Sequence, residues 1–141
     1  MASGSPERAA ELTVGDHLRI AAEFLDFGAR VSASGASPNA VTLGWAITSA
    51  YYAALHAISA YFLARHGERA GSHVERERLL RDPRFPEFSR QERAEFFNLK
   101  GAGEDARYRG QPFTALHHTL YRQRAERLVA KWGDRARKTG G

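Results

Sequence analysis

From Pro38 to Ala64 the chain carries no charged residue across 27 positions. An ordinary surface helix keeps one charged, solvated face, and this stretch has none. Ser37-Pro38 at its start is the pattern of a helix cap followed by proline in the first helical position. The spacing predicts one helix from Pro38 to about Arg65, stopped by Gly67. Val41, Trp45, Tyr52, Leu55 and Phe62 mark one seam, and Ile47, Tyr51, Ala54, Ile58 and Tyr61 another, so neighbours are expected on two sides. Asn39, Thr42, Thr48, Ser49, His56 and Ser59 interrupt the run, which fits a core helix rather than a membrane span. The tyrosine hydroxyls and the His56 imidazole within it then need partners.

The remaining helices are announced by their caps. Thr13–Asp16, Ser72–Glu75 and Ser89–Glu92 each place an acid three residues after a hydroxyl, the spacing of a capping box. The first opens a helix to near Val31 with Leu18, Ala21, Ala22, Leu25 and Ala29 on one face. The second opens a short helix to about Arg81, stopped by Asp82-Pro83. The third opens a helix to about Lys100, broken by Gly101-Ala102-Gly103, after which residues 107–112 read as a loop or single turn. A last helix is expected from about Thr114 to Trp132, ended by Gly133. No strand pattern occurs. A length of 141 residues suits one domain. The expected fold is all-α: an antiparallel up-and-down helical bundle of four to five helices over residues 13–133, with a flexible leader (1–12) and a basic flexible tail (134–141).

Charge is unevenly placed. The net charge is +5, and residues 122–141 hold seven Lys/Arg against Glu126 and Asp134, so the excess lies at this end. Such an arm can contact phosphates, or its cations can simply complement a helix C-terminus. Cysteine is absent, which removes disulfide and thiolate chemistry. Met1–Pro6 lacks the basic-then-apolar order of a signal peptide, and a cytoplasmic location is expected.

Motifs exclude several chemistries. There is no HExxH, and no Glu-x-x-His of the di-iron bundles, so no metal and no cofactor are expected. There is no GxxxxGK[ST], GxGxxG or GxSxG. Arg65, His66, Arg69, Ser72 and His73 do fall close together. His73 in a first helical turn would stay neutral beside the positive dipole end and could accept a hydroxyl proton, with an arginine holding a phosphate. Those are also residue types common in exposed connectors. Tyr52 and His56 are residue types that more often serve as packing residues with satisfied polar groups. Arg107 beside Tyr108 suits either a buried ion pair or a ligand phosphate.

Taken in order, Trp45-Ala46-Ile47, the core Ser49–Ala57, the Gly67 break, Ser72-His73 and Asp105-Ala106-Arg107-Tyr108 resemble the HEPN domain family (higher eukaryotes and prokaryotes nucleotide-binding). The resemblance covers roughly Leu12 to Trp132. It implies a helical bundle, often a homodimer, that binds RNA or a nucleotide or serves as a partner-binding component of a toxin–antitoxin or defence system. A minimal nucleotidyltransferase is a frequent companion of small members, as an antitoxin-type partner. Tyr52, His56, Arg65, Arg107 and Tyr108 become the candidate binding residues. Catalytic members are metal-independent ribonucleases whose active Arg and His are separated by four to six residues. Here Arg69 and His73 have three between them, and Arg65 and His73 have seven. The expectation is therefore a bundle without the standard ribonuclease motif. The alternative is a ribonuclease effector using an Arg–His pair near Arg65–His73, with Arg69 and His73 as its catalytic candidates.

Overall fold

The computed structural model describes residues 11–33, 40–69, 73–82, 88–108 and 114–140. Among these are five helices and no strand: α1 (Val14–Ala33), α2 (Ala40–His66), α3 (His73–Arg81), α4 (Arg90–Tyr108) and α5 (Ala115–Gly140). The all-α bundle expected from the sequence is what the chain forms. No described helix is long and apolar enough to cross a membrane. The Ser37-Pro38 start, Ser72 and most of the leader lie outside the described residues.

Local chemistry sets the ends. At α1, the Thr13 amide donates to the Asp16 carboxylate (3.0 Å) and the Asp16 amide to Thr13 Oγ1 (3.1 Å). At α4, Ser89 and Glu92 make the same reciprocal pair, both at 3.0 Å. At α5, His117 takes the acid's place: the Thr114 amide donates to His117 Nδ1 and the His117 amide to Thr114 Oγ1. Gly67 ends α2 with φ +66°, a left-handed conformation that glycine adopts without a Cβ clash. Its amide reaches the Leu63 carbonyl and the Glu68 amide reaches Phe62, which closes the open end.

α2 is the spine. It packs against α1, α4 and α5, three neighbours where two seams were expected. Ala50, Ala53, Ala54, Ala57 and Ala60 are all buried. They widen the apolar surface beyond the two large-residue seams and let helices approach on every side. α1 runs antiparallel to α2, since His17 meets His56 and Phe24 meets Tyr52. α4 also runs antiparallel, with Ala106 against Gly44 and Gly103 against Tyr51. Glu95 pairs with Arg127 and Asn98 with Arg124, so α5 returns antiparallel to α4. Phe62, Phe88, Phe96 and the fully buried Trp132 fill the space between them.

Two expected breaks are not breaks. α4 continues through Gly101-Ala102-Gly103, so Arg107 stands in its last turn rather than in a loop. α5 continues through Gly133 to Gly140, and residues 134–140, expected as a tail, are helical with Ala136 fully buried. Glycine costs a helix only about 1 kcal/mol, and close packing outweighs that here. A Cβ on Gly133 would stand 3.5 Å from Leu18 Cδ2, and one on Gly103 would stand 3.3 Å from Arg107 Nη1 and 3.4 Å from Tyr51 Cβ. On α1, Ala22 is exposed, outside the face expected for it.

The two glycines of α4 therefore predict opposite behaviour. A Cβ on Gly101 meets nothing within 4 Å, so Gly101→Ala should add about 0.5–1 kcal/mol of stability. Gly103→Ala should lose that gain, because Tyr51 and Arg107 must shift to admit the methyl group. Paired denaturant melts of the two variants check this.

Candidate functional site

The sequence candidates separate into two groups. Tyr52, His56 and Arg107 belong to one array, built where α1 and the last turn of α4 meet the middle of α2. The Arg107 guanidinium carbon lies 5.4 Å from the Tyr52 ring centroid and 5.8 Å from that of Tyr51, within cation–π range. Tyr52 stacks on Phe24 of α1 at 5.6 Å, and Phe24 stacks in turn on His56 at 5.9 Å. His56 then meets His17, with the two Nδ1 atoms 3.0 Å apart. The two ring centroids stand 5.2 Å apart, so the nitrogens lie between the rings and face each other. One imidazole must carry its proton on Nδ1 and the other must leave Nδ1 bare. Adding a proton to both would set two N–H groups head to head.

This array runs from guanidinium to phenol to imidazole over three helices. Gly103 makes room for Arg107 to fold back onto Tyr51. Tyr51 is buried, while Phe24, Tyr52, His56, His17 and Arg107 are each half-buried. The site is thus held from beneath by Tyr51, and the Arg107 Nε and Nη1 atoms are buried within it.

Two other candidates lie elsewhere. Arg65 is exposed near the end of α2, nine residues past His56 and so about 14 Å along the axis. Arg69 donates to the Leu12 carbonyl at 2.5 Å, tying the chain after α2 to the start of α1. His73 opens α3 and Tyr108 closes α4, but their side chains lie outside the described residues, so the Arg69–His73 pair is not described.

Three participants were not among the sequence candidates. His17 and Phe24 share the α1 face that also carries Ile20 and Phe27, and their partners lie roughly 30 to 40 positions away. His118 is the third. It is 2 % exposed, on α5, with Nε2 near Gly28 of α1. Burial pushes its imidazole below the usual histidine range, and the charge of Arg122 one turn on adds to this. The Thr114 cap and the adjacent pair His117-His118 were the available signals for it. Among the described residues, no group of three or more His, Cys, Asp or Glu could hold a metal ion.

Comparison with known proteins adds no relative: no family model, no curated protein and no solved structure matches the chain.

Proposed function

We propose that this protein is an RNA- or nucleotide-binding helical bundle that works without the ribonuclease motif. The observation that carries this reading is the Arg107–Tyr52–Phe24–His56 array. Aromatic faces and an arginine plane are what unstacked bases pack on, and the arginine charge attracts a phosphate. The half-buried setting holds these groups in place and leaves each side chain partly exposed, while Arg107 Nε and Nη1 are themselves buried. Arg69 donates to a backbone carbonyl, which favours binding over cleavage centred on Arg69 and His73. A HEPN-type role in a toxin–antitoxin or defence system belongs to the same proposal, as do a homodimeric state and a nucleotidyltransferase-type partner. They rest on the resemblance of Ser49–Ala57 and Asp105–Tyr108.

Fluorescence anisotropy with a labelled single-stranded RNA at low and at physiological salt tests the reading. Arg107→Ala should weaken binding about tenfold, and Arg107→Lys should recover only part of it, because an ammonium keeps the charge but loses the planar fork. Gel analysis of the same samples should show intact RNA. Wild-type binding that both variants leave unchanged would remove the array as the site. Cleavage products that persist in chelator and vanish in His73→Ala would replace this reading with the ribonuclease one.

A further inference from the structure

A crevice of about 340 Å³ opens between α1 and α2, lined by Ile20, Glu23, Phe24, Phe27, Trp45 and Ser49. Helical spacing builds it. Ile20, Glu23, Phe24 and Phe27 fall on one face of α1 at i, i+3, i+4 and i+7, and Trp45 and Ser49 are one turn apart on α2. Phe24 is a shared wall: its ring also stacks on Tyr52 and His56. Its position is therefore fixed from behind. Trp45 is 59 % exposed and Phe27 37 %, whereas the second tryptophan, Trp132, is fully buried. Ser49 Oγ donates to the Trp45 carbonyl, and Glu23 is the charged group among the described lining residues. Its ion pair with Arg19, at 3.6 Å between two well-exposed side chains, is of the weak, displaceable kind.

We propose that this crevice binds a small hydrophobic organic cation of the tertiary or quaternary ammonium class. The electron-rich faces of Phe24, Phe27 and Trp45 attract the cationic head, and the Glu23 carboxylate supplies the counter-charge at the rim. Ile20 and the aromatic edges take up the alkyl or aryl part. The volume sits at the small end of the range for organic ligands and suits a single ring bearing an ammonium group. A neutral ring of the same size gains only the apolar contact, and an anion meets Glu23 with like charge. The proposal shares Phe24 with the array of the RNA reading but needs neither Arg107 nor His56, and its variants at Glu23 and Trp45 lie outside that array.

The test is a ligand-observed NMR titration of the full chain with benzyltrimethylammonium, benzyl alcohol and phenylacetate, followed in parallel by tryptophan fluorescence. Benzyltrimethylammonium should bind about tenfold more tightly than benzyl alcohol, and phenylacetate should not saturate. Trp45 is the exposed fluorophore, so the emission change should disappear in Trp45→Leu, with cation affinity down about tenfold. Glu23→Gln should weaken the cation about fivefold and leave benzyl alcohol unchanged. Both substitutions fall on exposed side chains, and matching thermal melts confirm that the variants are folded. Equal binding of the three probes, preference for phenylacetate, or cation binding unchanged in both variants overturns the proposal. So does a sedimentation mass showing a dimer that Trp45→Leu dissociates, with no cation bound by wild type, since the crevice is then covered by a second copy.

Discussion

Trp132→Ala is expected to cost about 3–5 kcal/mol of folding stability, a fall in melting temperature of roughly 10–15 °C for a chain of this length. Trp132 is fully buried on α5. Its ring meets Phe88 edge-on at 5.2 Å and Phe96 at 6.4 Å, so truncation opens a cavity between helices that cannot close without moving both. The indole Nε1 also donates to Glu92 Oε2 at 2.8 Å. Trp132→Phe isolates that bond: it keeps most of the packing and should cost about 1–3 kcal/mol. Urea melts of the two variants separate the terms. A loss below about 1 kcal/mol for the alanine variant would mean that α5 does not hold the bundle.

Glu92→Ala is the second large effect, expected at about 2–4 kcal/mol near neutral pH. One carboxylate does two jobs here. Oε1 accepts from the Ser89 amide and so caps α4, while Oε2 accepts from Trp132 and from Arg135 Nη1 at 3.2 Å, with Lys131 Nζ at 3.6 Å. Burial by itself would raise the carboxyl. The Ser89 amide, the Trp132 indole and the Arg135 charge together outweigh it, and Glu92 sits below its ordinary value of 4.5. A carboxyl depressed in the folded state binds its proton more readily when unfolded. Its stabilisation is therefore complete above about pH 4.5 and drains away as pH falls through the lower folded value. The stability gap between wild type and Glu92→Gln, measured by urea melts across acid pH, should be widest near neutrality and shrink below about pH 4.5. A gap that stays constant into strong acid would show that the carboxylate charge contributes nothing.

Much of this hub was legible locally. Ser89–Glu92 announces itself as a cap, and Trp132 as a large apolar residue near the end of the last expected helix. What links them is the antiparallel return of α5 along α4, forty residues later in the chain. The same distinction governs the candidate site. Tyr52, His56 and Arg107 were visible as residue types out of place: hydroxyls, an imidazole and a guanidinium among alanines or beside glycines. Their partners His17 and Phe24 carry no such mark, because an aromatic and a histidine on an amphipathic helix read as ordinary. Arg65 and Arg69, adjacent in sequence to His73, looked like a cluster, yet Arg69 reaches the Leu12 carbonyl instead.

The glycines show why local reading stops where it does. Gly67 ends α2 because its backbone turns left-handed, and that property is visible in the residue type. Gly103 and Gly133 look the same in sequence, but both stay helical where Tyr51 and Leu18 pack close beside them, which no local rule contains. The sequence by itself determined where the helices lie and the ends set by Thr13, Ser89 and Gly67, since these depend on neighbours within about a turn. Only the tertiary structure decided that α2 has three partners, that α4 and α5 run through their glycines, and that His17, Phe24 and Arg107 meet Tyr52 and His56. Those outcomes depend on which faces of distant helices fit together closely enough for van der Waals contact, a property of the packed helices together rather than of any one segment.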